Sequence, residues 1–512
     1  MTSRLPRPTF INYTYPPHLR FLLILPTVWI ARLPCCQWHA SPFSSSRTSP
    51  STAMPSCGLT KRGTRFLILA ILLCFVLPGI FYHRELVQTY FYNNNRPPPL
   101  YKEYREREQH LEHYTEYQTR KDVKYLWSAN HAKSSGWGNV MQDYVMNGLL
   151  AHASGRSYVF DDYVWNPDGS VFSDYNGHLI PSRIPLTALL GGVMVGGEMP
   201  PGDPTPRAVS KDFFRKVCPN PTVLHVSEVN DDSMRFDENV PASLLFEKWI
   251  EKVTSIEDPC LEIDAQSDAI FEYWIFGHKR MLSIWPYLKD DTVATHWGWS
   301  PLIHDAYRRN RHIFVPNVKP TLFEGFSSSV SENYSQPIPG LLALHVRRGD
   351  FQGHCVHLGK WSSNWNAFNM FPEFSDQFQR PTDGGWGETS DKNMQMYMRR
   401  CFPTIEQIVQ KVMQVRVESE WPLTHIYIMT NGAVAWVEEL KDALASSANW
   451  DQVRSSRDLD ITWEQKFVAQ ALDMFVAQRA EVLIGNGWSS LTSNVVMLRM
   501  AQGLPPDSNR FW

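Results

Sequence analysis

The run Leu341-Leu342-Ala343-Leu344-His345-Val346-Arg347-Arg348-Gly349-Asp350-Phe351 constrains this chain most. Its apolar stretch has the length of a buried strand, and Gly349-Asp350 closes it in a turn. Side chains alternate along a strand, so His345 and Arg347 point one way, opposite Leu344 and Val346. Open α/β sheets bind ligands at the carboxyl ends of their strands, and this strand delivers a His and an Arg there. Arg keeps its charge at any working pH and presents a fork that fits phosphate oxygens. Taken alone, the same residues describe an ordinary strand end with surface ion pairs.

Two further segments give the strand company. Lys124 to Ala129 reads as a strand, Ser134-Ser135-Gly136-Trp137-Gly138-Asn139 as a turn, and Val140 to Ala151 as a helix with apolar residues at 140, 141, 144, 145 and 149. Ser157-Tyr158-Val159-Phe160 is the next strand, and this order opens a parallel βαβ sheet with helix-terminal amides aimed over the turn. Near the other end, Glu481 to Gly485 reads as a strand running into Asn486-Gly487-Trp488-Ser489-Ser490-Leu491-Thr492 and a helix through Arg499. Hydroxyls and amides at that helix start suit an anion; helix capping is the structural alternative.

Together the three segments resemble the GDP-fucose protein O-fucosyltransferase family. That family carries a His-x-Arg strand, an N-terminal turn of the type Gly-Arg-Phe-Gly-Asn, and a C-terminal Asp helix followed by Ile-Gly-Asn-x-x-Ser-Ser-Phe-Thr. Here the last pattern is Asp473, then Ile484 to Thr492. The first turn departs from the family, with Gly136 for its arginine, Trp137 for its phenylalanine and Val140 for its glutamine. Some relatives place a glutamate in this turn as catalytic base, and this chain has none there.

The resemblance implies a GT-B-like α/β fold, two Rossmann-like domains facing across a cleft, at 121–330 and 335–512, the second holding the nucleotide. It implies donor contacts from Gly136, Trp137, Gly138, Asn139, His345, Arg347, Asp473, Ser489, Ser490 and Leu491. Fucose would leave GDP with inversion as charge grows on the β-phosphate, stabilised by Arg347 and turn amides, with no metal. The acceptor would be a protein Ser or Thr hydroxyl. A glycan acceptor, or a catalytically silent GDP-sugar or glycan binder, is the alternative. Asp473 would accept from the guanine ring N–H and exocyclic amine. On a helical wheel it lies opposite the face of Phe467, Val468, Ala471, Leu472 and Phe475, which by itself describes a solvated acid. The catalytic base is unassigned.

At 512 residues with 43% hydrophobic and 13% aromatic content, the chain is long enough for two domains. A net charge of −3 and a pI near 6.6 give no general attraction to nucleic acid. No acid precedes Glu85. Phe66 to Tyr82 is an uncharged apolar run at the lower length of a membrane span, preceded by Lys61, Arg62 and Arg65. The positive-inside rule then keeps 1–65 cytosolic and sends the rest into the lumen. This predicts a single-pass type II protein of the Golgi or endoplasmic reticulum, with 83–120 a solvated stem. Residues 1–53 are Pro- and Ser-rich, and Met54 is a candidate start of the working protein.

Four cysteines follow the span, Cys218, Cys260, Cys355 and Cys401, which predicts two disulfides in one of three pairings. Asn333-Tyr334-Ser335 is a glycosylation sequon inside 327–339, the expected interdomain linker. Asp458-Leu459-Asp460 has a metal-binding form, but Thr462 with Gln465 reads as a capping box, so these acids read as helix-start residues. His354 and His357 flank Cys355 with no carboxylate partner and do not read as a metal site.

Overall fold

The computed structural model describes residues 99–117, 122–175, 178–316, 334 and 336–512. The expected cytosolic tail at 1–65, the expected span at 66–82, and residues 327–333 and 335 of the expected linker, Asn333 among them, lie outside the described residues. Among the described residues no helix is long and apolar enough to cross a membrane.

Two all-parallel five-stranded sheets organise the chain. In the first, the strands run Val209–Ser210, Ser157–Phe160, Tyr125–Ser128, Cys260–Ile263, Thr222–Leu224. In the second they run Gln452–Ser455, His425–Thr430, Ile338–Val346, Ala480–Gly485, Asn509–Phe511. Both sheets start at a central strand and grow outward in one direction before reversing. In the first the reversal lies between Tyr125–Ser128 and Cys260–Ile263; in the second it lies between Ile338–Val346 and Ala480–Gly485. Crevices open at the carboxyl side of such reversals, because successive loops leave the sheet toward opposite faces.

The strand Ile338–Val346 is buried on both faces, as its unbroken apolar run requires. Leu342, Leu344 and Val346 pack with Ile408, Val412, Leu440 and Leu444 of the helices Ile405–Glu418 and Val434–Ser447. Leu341 and Ala343 face the opposite way, into the large core that includes Leu472, Phe475, Val495 and Leu498. His345 shares that second face by strand alternation. The helices bearing Leu472 and Leu498 are Ala469–Gln478 and Ser490–Ala501, and both carry candidate donor residues.

The four cysteines after residue 82 pair as Cys218–Cys260 and Cys355–Cys401. The predicted capping box is present, with Thr462 and Gln465 exchanging side-chain and backbone hydrogen bonds. The helix it opens is shorter than its apolar pattern predicts: it stops at Lys466 and resumes at Ala469.

The part of the predicted stem at 99–117 is solvated on one side only and packs on the other. Its helix Pro99–Glu108 buries Tyr101 and Tyr104 in the large core, and the Tyr101 hydroxyl donates to the Glu464 carbonyl at 2.8 Å. Arg105 makes a two-pronged pair with Asp162 at 3.0 and 2.9 Å, and Glu108 accepts from Thr187 Oγ1 at 2.6 Å. Two tyrosines three residues apart form an anchor too narrow to register as an amphipathic stripe.

Candidate functional site

The second sheet's reversal brings His345, Arg347 and the turn 485–492 together. Glycine is required at 485: a Cβ there would lie 2.2 Å from the Thr492 side chain. That close approach lets Thr492 Oγ1 hydrogen-bond His345 Nδ1 at 2.7 Å. His345 is buried, and burial with the nearby Arg347 charge lowers its pKa to about 3, so the ring is neutral. Asn486 is structural. Its Nδ2 donates to the Cys401 carbonyl at 2.8 Å, tying the turn to the helix that carries the Cys355 disulfide.

Arg347 stands past the strand end with 32% of its side chain exposed. Its guanidinium lies over the Phe351 ring at 4.6 Å and only 3.7 Å from Asp350, a loose pairing. Its Nε is buried and has no hydrogen-bond partner. The neighbouring Arg348 is its opposite. It is buried between Phe402 and Trp436 at 4.3 and 4.1 Å, and it donates to the carbonyls of Arg347 and Pro403. Burial without an acid pulls its pKa down to about 10. One arginine is poised for an anion; the other holds the loop.

The GWGN turn meets this site directly. A Cβ on Gly138 would lie 2.6 Å from Ser490 Oγ and 2.9 Å from the Leu491 amide, so only glycine lets the two helices touch. Asn494 Nδ2 donates to the Gly138 carbonyl at 2.8 Å, and Gln142 Nε2 donates to Asn366 Oδ1 at 2.7 Å. The helices starting here, Trp137–Ala153 and Ser490–Ala501, have Gly136 and Ser489 at their N-caps, and neither receives a side-chain cap. Ser489 therefore does not play the capping role its position suggests. Two uncapped helix N-termini in contact present amides and two positive dipole ends at one place.

The Trp137 ring is buried edge-on to Tyr144 and Tyr163, at 6.4 and 5.6 Å, so its side chain belongs to the core and only its backbone stands at the helix start. Tyr144 lies two turns along the same helix, and Tyr163 comes from the strand Tyr163–Val164.

Asp473 is also not a solvated surface acid. It is half-buried, accepts from the Tyr427 hydroxyl at 2.6 Å, and burial raises its pKa to about 7 despite the Arg457 charge. Its helix is buried on nearly every side, so the wheel's polar face meets a neighbouring strand instead of water. Asp458 accepts from Lys441 Nζ at 2.9 Å and from the Ser455 amide at 2.8 Å, and the Asp460 carboxylate lies 3.9 Å from the Arg309 guanidinium. These are the partners of structural acids. Among the described residues no cluster of three or more His, Cys, Asp or Glu is arranged to hold a metal.

A cavity of about 480 Å³, which sequence reading missed, opens beside the first turn. Asn139, Gln142, Asp143, Arg235, Asp268, Glu272 and Tyr273 are among its walls. These residues are dispersed over more than a hundred positions, and only the reversal of the first sheet brings them together.

Residues 324–502 match the family model described as O-FucT, GDP-fucose protein O-fucosyltransferase. Comparison with curated protein sequences finds no match. Among solved structures, POFUT1 in complex with GDP-fucose aligns with a TM-score of 0.44 at 14% identity, covering 77% of this chain and 99% of that one. NodZ alpha-1,6-fucosyltransferase soaked with GDP-fucose aligns with a TM-score of 0.34 at 9% identity, covering 73% and 92%. A point mutant of Arabidopsis thaliana FUT1 in complex with GDP aligns with a TM-score of 0.30 at 11% identity, covering 79% and 78%. The matched segment holds His345, Arg347, Asp473, Ser489, Ser490 and Leu491, while the Gly136–Asn139 turn lies outside it. Residues 324–502, about a third of the chain, are thus similar to the GDP-fucose protein O-fucosyltransferase family.

Proposed function

We propose that the chain transfers fucose from GDP-fucose to a Ser or Thr hydroxyl of a protein, with inversion and without a metal. One observation carries this reading: a loosely paired arginine stands at the sheet reversal where His345 meets the Ser490–Ala501 helix, whose first turn touches that of Trp137–Ala153. A diphosphate leaving group needs that combination of fixed charge and free amides. Arg347 and amides of the two helix starts hold the β-phosphate. Ser489, Ser490 and Leu491 line its approach. Neutral His345, oriented by Thr492, sets the wall beside Arg347 without adding charge. Asp473 accepts from the guanine edge. As the anomeric carbon becomes oxocarbenium-like, charge accumulates on the β-phosphate, where these donors already point.

The two disulfides fit an oxidising compartment. They support placing the enzyme in the lumen of the Golgi or endoplasmic reticulum, anchored through 66–82 as a single-pass type II protein with sugar at Asn333. The test is GDP-fucose turnover by the full chain, with and without EDTA. Turnover unaffected by chelation is expected. Loss with EDTA and recovery with manganese contradicts the metal-free reading, and no GDP-fucose binding at all contradicts the donor reading.

A further inference from the structure

We propose that the cavity at the first sheet's reversal receives the acceptor, and that Asp143 takes the proton from its attacking hydroxyl; this rests on the donor reading above. The cavity lies where a ligand crevice is expected, between the loops that follow Tyr125–Ser128 and Cys260–Ile263. Asn139 joins it to the donor cradle, because it follows Gly138, whose backbone rests on Ser490 and Leu491. Asp143 is one helical turn beyond Asn139 on the same helix face, and both line the cavity.

Three carboxylates line this space, and two are spent. Asp268 and Glu272 both pair with Arg235, which engages their oxygens. Asp143 makes no ion pair within 4 Å of a Lys, Arg or His among the described residues; its Oδ2 accepts from the Ala132 amide at 2.8 Å. That bond fixes the carboxylate's orientation without neutralising it. Burial raises its pKa, which makes it a stronger base than an exposed aspartate. The exposed Tyr273, its ring tilted against Trp274 at 4.3 Å, flanks the entrance with an apolar face.

In the step assigned to it, the acceptor oxygen forms a bond to the anomeric carbon as the carbon–phosphate oxygen bond breaks. The electron pair leaves on the β-phosphate of GDP, and the acceptor's proton goes to Asp143. Water and methanol need such a base; azide, already an anion, does not. The experiment therefore compares hydrolysis, methanol transfer and fucosyl azide formation from GDP-fucose by the full-length wild-type and Asp143→Asn proteins. The amide oxygen of Asn can still accept from Ala132. Hydrolysis and methanol transfer are expected to fall about a hundredfold or more, with azide product, GDP-fucose affinity and melting temperature kept. Hydrolysis at the wild-type rate, or equal loss of the water and azide reactions, overturns the assignment. If Asp143→Asn does not fold, Asp143→Glu decides: retained hydrolysis supports a base, and equal loss of both reactions assigns a structural role. A wild-type protein inert toward all three nucleophiles overturns the donor reading as well.

Discussion

Asp473 has two demands on one proton. Its pKa is raised to about 7 by burial, above an unfolded value of about 3.9, so folding favours the protonated form. That contribution is complete below about pH 3.9 and is lost as pH rises through about 7. Accepting two donors from guanine requires the carboxylate instead. GDP-fucose affinity should therefore rise by up to about tenfold per unit from pH 5.5 and level off above about 7, and Asp473→Asn should weaken binding and flatten the profile. The sugar nucleotide is the better probe, since its diphosphate is esterified at both ends and does not titrate in this range. A flat wild-type profile by calorimetry would count against the guanine contact. Arg348 yields a prediction about stability instead. Strand alternation makes it a benign neighbour of Arg347, but the strand ends at Val346 and Arg348 turns inward between two rings. Arg348→Lys loses the planar stack and the forked donation to two carbonyls, and should lower stability by about 2 kcal/mol in denaturant melts.

At the scale of elements, most of the βαβ units were legible because apolar runs, glycine turns and helical spacing agree locally. Ser157–Phe160 appears over the residues expected, and Trp137–Ala153 and Ser490–Ala501 start at the turns that announced them. The contact between those two helices was not legible, since it depends on an absent side chain. Gly138→Ala tests it: the methyl group would force apart helix starts now separated by less than a Cβ contact. We expect a loss of about 1–3 kcal/mol in stability and a larger loss in turnover, with the secondary structure intact by circular dichroism. Turnover at the wild-type level would show that the two helix starts need not touch.

Across the whole molecule, the error over 99–117 and the success over the disulfides have a common cause. Cysteines announce a number of bridges from the sequence alone, whereas two buried tyrosines in a charged helix signal nothing until their partners are known. Tyr101→Ala should cost about 3–5 kcal/mol in a melt, as for other large buried rings, and a change near zero would restore the stem reading for this helix. The account as a whole rests on a diphosphate held where the strand Ile338–Val346 ends and the two helix starts meet. Arg347→Lys tests this most directly, because it keeps the charge and removes the planar fork. Turnover of GDP-fucose should fall about a hundredfold, corresponding to about 3 kcal/mol of lost transition-state stabilisation, with a smaller change in GDP affinity and an unchanged melting temperature. A folded Arg347→Lys enzyme with wild-type turnover would contradict it.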